Sequence, residues 1–209
     1  MKPPSALKSA SKLALAAHMQ KAGEVRLIGG QWKRSKLPVL SKPGLRPTPD
    51  RVRETLFNWL GQDLSGLNCV DAFAGSGALG FEAASRGAAD VLLVEQDAQL
   101  AAHLQAQAQR LKATNLRIQR GDALQILRSL KTASVDVIFL DPPFASGLFL
   151  EAIRAAAGVL SARGAIYLEA PESWNDEQLA PLGLHTVKQG RAGTVHFHLL
   201  QKLAISSAE

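Results

Sequence analysis

Glycines and acidic residues are spaced along the middle of the chain in a pattern that predicts a nucleotide-like cofactor site. Gly75, Gly77 and Gly80 follow a short apolar run in the order G-x-G-x-x-G. Such a turn between a strand and a helix brings backbone N–H groups close to a ligand. Glu95 ends the next apolar run, at the distance from which a carboxylate holds ribose hydroxyls. This spacing alone does not separate NAD from S-adenosylmethionine (SAM).

Asp71 favours SAM over NAD. It ends the apolar run before the glycines, where its carboxylate would repel a pyrophosphate but can pair with the ammonium group of SAM. An NAD-dependent oxidoreductase is therefore the last of the alternatives. Asp122 is placed to accept a hydrogen bond from the adenine amino group, and a helix N-cap is its open alternative. The predicted SAM-binding residues are Asp71, Phe73, Gly75, Gly77, Glu95, Gln96, Asp122 and Ala123.

A second segment, Asp141-Pro142-Pro143-Phe144, predicts a clamp for a planar exocyclic amine. The lone pair of such an amine is delocalised into the ring, so an enzyme must orient the N–H bonds before a methyl group can be transferred. Asp141 and the carbonyl of Pro142 can each accept one N–H, and the prolines fix the backbone. Phe144 offers a face for stacking a base. Asp141 can also take the released proton, with release to water as the alternative.

Elements that position these residues follow from the apolar pattern. From about residue 67, short apolar runs alternate with helical patterns, which predicts βαβ units and a parallel sheet. The predicted strands are residues 69–73, 91–95, 116–119, 135–140, 165–169, 184–189 and 194–201. The last two strands are predicted to form a closing antiparallel hairpin. Gly80 is expected to let its helix pack closely on the sheet.

The chain ahead of residue 60 has a different organisation. Residues 25–28 and 31–39 are predicted strands around Gly29-Gly30, and they form a basic hairpin. After a proline-rich linker, Thr48-Pro49-Asp50 predicts a helix start with Thr48 as the N-cap. We divide the chain into a basic, loosely ordered arm (residues 1–23), the hairpin and linker (24–47) and a catalytic domain (48–209).

Positive charge is concentrated in the same N-terminal part. Residues 1–60 contain 12 Lys or Arg and three Asp or Glu, whereas the other 149 residues carry a net charge of −3. This asymmetry predicts that a polyanion docks on the N-terminal part. A solvated basic tail without a partner is the alternative.

The composition excludes several other classes of protein. The single cysteine, Cys69, cannot form an intramolecular disulfide, and it lies in an apolar run that predicts a buried thiol. His196 and His198 share one face of a predicted strand without a further ligand nearby, so no metal is expected. No apolar stretch is long enough to cross a membrane. We expect a soluble, cytoplasmic monomer.

Four segments together resemble the small-subunit (16S) ribosomal RNA guanine-N2 methyltransferases of the RsmD type. They are residues 26–33, 44–60, 71–82 and 141–144, and the resemblance covers roughly residues 24–200. Residues 44–60 carry the most specific likeness, since many SAM enzymes share the glycine turn. The chain departs from the family at Arg34 and Ser35, where the family usually has glycine and then arginine.

The resemblance implies an α/β, class I SAM-dependent methyltransferase (Rossmann-like) fold with a seven-stranded, mostly parallel sheet and an N-terminal hairpin. It also implies that residues 141–144 hold a guanine of 16S RNA, within the small ribosomal subunit or its assembly intermediate. The predicted RNA-binding residues are Arg26, Lys33, Arg34, Lys36, Arg46, Thr48, Arg51 and Arg53.

Two alternatives use the same residues. An adenine-N6 or cytosine-N4 DNA methyltransferase would use the same clamp, but such an enzyme normally needs a target-recognition domain. About 60 residues outside the catalytic fold leave little room for one. An RNA-interaction module that binds SAM without activity is the non-enzymatic alternative, and the presence of Asp71, Glu95 and Asp141 argues against it.

Overall fold

The computed structural model describes residues 21–45 and 47–204, which form nine strands and six α-helices. The strands are β1 Lys21–Arg26, β2 Lys36–Leu40, β3 Asn68–Asp71, β4 Asp90–Glu95, β5 Leu116–Arg120, β6 Val135–Leu140, β7 Leu160–Ala170, β8 Leu184–Ala192 and β9 Val195–Lys202. The helices are α1 Asp50–Leu60, α2 Ala78–Ser85, α3 Ala98–Leu111, α4 Ala123–Ser129, α5 Phe149–Val159 and α6 Asp176–Leu179. Two short 3-10 turns cover Phe144–Ser146 and Ala180–Leu182.

Strands β3 to β9 form one sheet in the order β5-β4-β3-β6-β7-β9-β8. β3 to β7 pair in parallel, and β9 runs antiparallel to both β7 and β8. The predicted seven-stranded, mostly parallel sheet with a closing antiparallel hairpin is therefore confirmed. The strand order reverses between β3 and β6, and open α/β sheets bind their ligands at the carboxyl ends of strands at such a reversal.

Helices cover both faces of the sheet, because successive strand residues point to opposite sides. The front face carries Leu93, Phe139 and Tyr167 and packs against α1, α2, α3 and apolar residues of β1 and β2. The back face carries Leu92 and Ile138 and packs against α4, α5 and α6. The β1–β2 hairpin thus shares a hydrophobic core with the sheet.

The N-terminal hairpin differs in detail from its prediction. β1 and β2 pair antiparallel, but residues 27–35 connect them, and Gly29-Gly30 lies within this connection. β1 begins at Lys21, within the predicted arm, whereas residues 1–20 lie outside the described residues. Backbone hydrogen bonds from Leu27 to Ser35 and from Arg34 to Leu27, both 2.8 Å, close the connection. The predicted antiparallel hairpin is confirmed, but its strand bounds were wrong because the connection takes its shape from contacts with α2.

Those contacts depend on Glu82, a fully buried acid on α2. Its carboxylate accepts hydrogen bonds from the backbone N–H groups of Ile28 at 2.8 Å and Gly29 at 2.7 Å. It also pairs with Arg53 of α1 at 3.3 Å and with Arg86 at 2.8 Å. We call these residues the Glu82 network. It joins the hairpin, α1 and α2 through groups that would be costly to bury unpaired.

Arg53 corrects a prediction, because its side chain is fully buried and cannot contact RNA. Its guanidinium also donates to the backbone carbonyls of Thr48 and Arg26 and pairs with Asp50 at 2.6 Å. The predicted N-cap is wrong as well. Helix α1 begins at Asp50, and no side chain caps it, because the hydroxyl of Thr48 points instead to Glu169.

Candidate active site

The glycine turn after β3 has the tight geometry that its sequence predicts. Gly75 and Gly77 adopt positive φ angles of 50° and 77°, which favour glycine. A side chain at Gly77 would begin 2.7 Å from Leu104, and one at Gly80 would begin 2.5 Å from Leu93. The close contact at Gly80 agrees with its expected role in packing α2 on the sheet.

Asp71 lies at the end of β3 and is almost fully buried. Its Oδ2 accepts a hydrogen bond of 2.9 Å from the Gly80 N–H. Burial raises the pKa of Asp71 to about 7, and the Gly80 N–H offsets part of that shift. One carboxylate oxygen is therefore committed to the start of α2, and pairing with the ammonium of SAM remains a prediction for this side chain.

Glu95 connects the glycine turn to the next strand end. Its Oε2 accepts the Gly75 N–H at 2.9 Å, and its Oε1 accepts the Asp97 N–H at 2.8 Å. This half-buried carboxylate thus lies at the carboxyl end of β4, directly beside the turn. The position is the one from which an acid in this fold reaches ribose hydroxyls.

The remaining predicted cofactor residues lie at the same edge of the sheet. Asp122 caps α4 by accepting the Gln125 N–H at 2.8 Å, so the N-cap alternative is observed, with only one oxygen used. Ala123 is the buried first residue of α4, Gln96 is exposed after β4, and Phe73 is half-buried after β3. The turns after β3, β4 and β5 therefore form one continuous border.

The predicted clamp follows β6, directly beside β3. Pro142 is buried, Pro143 is exposed, and the backbone then enters a 3-10 turn at Phe144. The Phe144 ring is 41% exposed and is supported from behind by Phe149, with ring centroids 6.1 Å apart. An aromatic face open to solvent at this position can stack on a base.

Asp141 is the predicted reactive group of this segment. Its carboxylate accepts no hydrogen bond from the residues that the structure describes. Burial raises the pKa of Asp141 well above its usual range, and the charges of Glu169 and Asp71 raise it further. The structure therefore brings the Asp141 loop and the Asp71 strand end together, and it leaves the Asp141 oxygens available to a ligand.

Glu169 belongs to this site, although it is absent from the predicted set. It lies near the carboxyl end of β7, next to β6, and its Oε1 accepts hydrogen bonds of 2.9 Å from Thr48 and from Tyr167. The sequence did contain a signal for Glu169, since this acid ends an apolar run of strand length, as Asp71 and Glu95 do. Thr48 is therefore buried at the site rather than exposed on a surface.

The linker between β2 and α1 crosses the carboxyl edge of the sheet. Lys42 pairs with Asp97 at 2.5 Å, and a methyl group of Leu45 lies 3.0 Å from where a side chain at Gly75 would begin. Thr48 then reaches Glu169 on β7. The linker thus runs from the carboxyl end of β4 to the carboxyl end of β7. Arg46 lies outside the described residues.

Within the part of the chain that the structure describes, five of the eight predicted RNA-binding residues are exposed at the surface, and they fall into two groups. Lys33, Arg34 and Arg51 are exposed and make no ion pair with the described residues. Arg26 pairs with Asp50 at 3.4 Å, and Lys36 pairs with Glu24 at 2.8 Å, so their charges are partly neutralised.

Arg34 takes the place of the glycine that the family usually carries, and it adopts a φ of 72°. The connection therefore keeps a backbone shape that glycine favours.

Across residues 21–45 and 47–204, no group of three or more His, Cys, Asp or Glu side chains is arranged to hold a metal ion. Within the same ranges, no helix is both long and apolar enough to span a bilayer.

Comparison with known proteins gives a consistent set of relatives. Residues 25–201 match the family model described as conserved hypothetical protein 95. Ribosomal RNA small subunit methyltransferase D of Escherichia coli K12 is 43% identical over 185 residues, which are 88% of this chain and 92% of the relative. The Haemophilus influenzae protein of the same name is 40% identical over 184 residues, covering 86% and 94%.

A solved structure of a putative methyltransferase from Escherichia coli has the same fold. It superposes with a TM-score of 0.74 at 42% identity, covering 86% of this chain and 98% of that one.

Proposed function

The chain belongs to the conserved hypothetical protein 95 family, the RsmD family of small-subunit ribosomal RNA methyltransferases, and from this premise we propose that it methylates the exocyclic N2 amine of a guanine in 16S ribosomal RNA. The methyl donor would be SAM. The substrate would be the small ribosomal subunit or its assembly intermediate, and the enzyme would act as a cytoplasmic monomer without a metal. One observation carries the proposal: the Asp141 carboxylate has no hydrogen-bonding partner among the described residues, and it lies in the same loop as the exposed Phe144.

The residues at the border fit SAM as the cofactor. The close backbone approach at Gly75, the Glu95 carboxylate and the free oxygen of Asp122 offer the contacts that a methionine part, a ribose and an adenine require. When bound, SAM supplies an electrophilic methyl group on its sulfonium.

Orientation of the amine is the task of the residues after β6. Asp141 and the Pro142 carbonyl would accept the two N–H bonds, while Phe144 stacks on the guanine. Methylation leaves an excess proton on the amine, and Asp141 is placed to accept it. The raised pKa of Asp141 makes it a stronger base than a solvated aspartate.

The exposed basic side chains of Lys33, Arg34 and Arg51 would meet the phosphates of the RNA. They lie on the hairpin connection and on α1, which the Glu82 network joins to the catalytic elements.

Mass analysis of nucleosides tests the proposal directly. Small ribosomal subunits that lack the modification are incubated with the enzyme and labelled SAM, and a DNA duplex is incubated in parallel. We expect N2-methylguanosine in the RNA and no label in the DNA. Label in N6-methyladenosine or N4-methylcytosine would contradict the proposal, and so would labelled DNA.

A further inference from the structure

Glu169 lies beside Asp141, yet the proposed methyl transfer makes no use of it. β6 and β7 pair in parallel with Phe139 opposite Tyr167 and Leu140 opposite Leu168. Continuing this register by one residue beyond β6 brings Asp141 beside Glu169, and the Glu169 charge accordingly raises the pKa of Asp141. Because strand residues alternate between faces, both acids point to the front face, as Phe139 and Tyr167 do.

The Glu169 carboxylate is held in a fixed orientation. Thr48 from the linker and Tyr167 from β7 both donate to Oε1 at 2.9 Å. Oε2 accepts no hydrogen bond from the described residues. The buried and unpaired side-chain polar atoms among those residues belong to His185, Thr186 and His198, so Oε2 is not sealed from the cleft.

This arrangement is costly for the protein alone. Glu169 is only 6% exposed, and no Lys, Arg or His side chain in the described ranges forms an ion pair with it. Burial raises the pKa of Glu169, and the hydrogen bonds from Tyr167 and Thr48 offset part of that shift. A nearly buried carboxylate that leaves one oxygen open to the cleft fits a ligand that donates a hydrogen bond to that oxygen.

We propose that Oε2 of Glu169 accepts the N1–H of the target guanine and thereby selects guanine over the other amino-bearing bases. The inference rests on the proposed function. In guanine, the N1–H donor lies directly beside the N2 amine, so adjacent acceptors on Glu169 and Asp141 match adjacent donors. Adenine and cytosine place a ring nitrogen with a lone pair beside their amine, and this lone pair would face the carboxylate without a proton between them.

The substrate 2-aminopurine separates this proposal from a structural role. It keeps the exocyclic amine of guanine but lacks both the N1 proton and the O6 carbonyl, so the comparison is completed by a change at Glu169 itself. We expect the wild-type enzyme to methylate an RNA with 2-aminopurine at the target position with a kcat/KM at least about tenfold lower than the guanine RNA, as a lost charged hydrogen bond implies. Equal kcat/KM values for the two RNAs would overturn the proposal without any variant.

Glu169→Gln supplies the matching protein change. Its amide oxygen can replace Oε1, which turns an N–H₂ group toward the base in place of Oε2. We expect kcat/KM for guanine RNA to fall about tenfold or more, the preference over 2-aminopurine to shrink, and SAM binding to persist. Glu172→Gln, at an exposed position beyond the same strand, should change none of these values.

Other outcomes would identify what failed. Equal losses on guanine and 2-aminopurine RNA, or lost SAM binding, would assign Glu169 a structural role and overturn the inference. If Glu169→Gln does not fold, Thr48→Val is the second variant, because it removes one of the two hydroxyls that orient the Glu169 carboxylate. We expect Thr48→Val also to reduce the ratio of kcat/KM for guanine RNA to that for 2-aminopurine RNA. A wild-type product other than N2-methylguanosine would refute the proposed function itself, whereas N2-methylguanosine formed without a preference over 2-aminopurine refutes only the role of Glu169.

Discussion

Asp141 is the side chain on which the proposed methyl transfer depends most directly. Asp141→Ala removes one acceptor of the amine and the nearest base, so we expect the methylation rate to fall about 100-fold or more. SAM should still bind, because the glycine turn and Glu95 are untouched. The measurement combines labelled-methyl incorporation with the rise in melting temperature that SAM causes.

Glu151→Ala is a matched control, since Glu151 is an exposed acid on the helix that follows the clamp. Its activity should equal that of the wild type. An active Asp141→Ala variant would remove Asp141 from the reaction.

Asp71 makes stability depend on pH. Its pKa is about 7 in the folded chain against an ordinary value of 3.8, so the folded state binds this proton more tightly than the unfolded state does. Its contribution to stability is therefore present at acidic pH and is lost as the pH rises toward 7. We therefore expect the free energy of unfolding to decrease as the pH is raised from 3.8 to about 7. In Asp71→Asn the fall should be smaller by on the order of 3 kcal/mol.

Urea unfolding at a series of pH values measures this difference. Glu172→Gln provides the reference, because Glu172 is exposed. Parallel pH profiles for the wild type and Asp71→Asn would show that Asp71 does not retain its proton.

Single residues differ in how well the sequence predicts their roles. The position of Asp141 at the carboxyl end of a strand could be predicted, because the apolar run that ends there is local in the sequence, and its role stays a prediction. Glu169 could not be assigned, because Thr48, which orients it, is 121 residues away in the chain. Arg53 was assigned to RNA on the family resemblance. Its burial could not be predicted, because its partner Glu82 lies 29 residues further on.

At the scale of elements, helix α1 carries two arginines with opposite roles. Arg51 is exposed, whereas Arg53 is buried in the Glu82 network. We expect Arg53→Met to lower the free energy of unfolding by about 3–5 kcal/mol, because it leaves buried groups unpaired. Arg51→Met should change it by less than about 0.5 kcal/mol.

Urea titrations of both variants and their RNA affinities test this distinction. If Arg53→Met were as stable as the wild type but bound RNA more weakly, the original prediction that Arg53 contacts RNA would be correct.

The elements themselves were predictable to different degrees. The seven strands of the sheet follow from apolar runs of strand length between helical patterns, and each was predicted in order. The shape of the connection between β1 and β2 could not be predicted, because the backbone N–H groups of Ile28 and Gly29 donate to Glu82 on α2. A pattern of local residue types does not contain that long-range contact.

On the scale of the whole molecule, the exposed basic side chains of the hairpin connection and the candidate active site occupy different parts of one folded unit. Lys33 and Arg34 are exposed on the hairpin connection, away from any ion pair with the described residues. We expect Lys33→Glu with Arg34→Glu to weaken RNA binding and to reduce the slope of log affinity against log salt by about two, roughly one unit for each lost phosphate contact.

Lys131→Glu with Arg163→Glu is the matched control. Both residues are exposed, and they lie near the starts of β6 and β7, at the opposite edge of the sheet from the candidate site. An unchanged salt slope in the hairpin variant, or an equal change in the control, would show that the hairpin does not contact the RNA phosphates.

The Glu82 network has a consequence for protein engineering. The hairpin cannot be moved between enzymes by itself, because the backbone N–H groups of its connection donate to Glu82, which belongs to helix α2. A chimaera that carries this hairpin on another enzyme of this fold would need that acid and both arginines transplanted with it. Retargeting the enzyme to a different RNA therefore has to proceed through exposed side chains such as Lys33, with the underlying scaffold left in place.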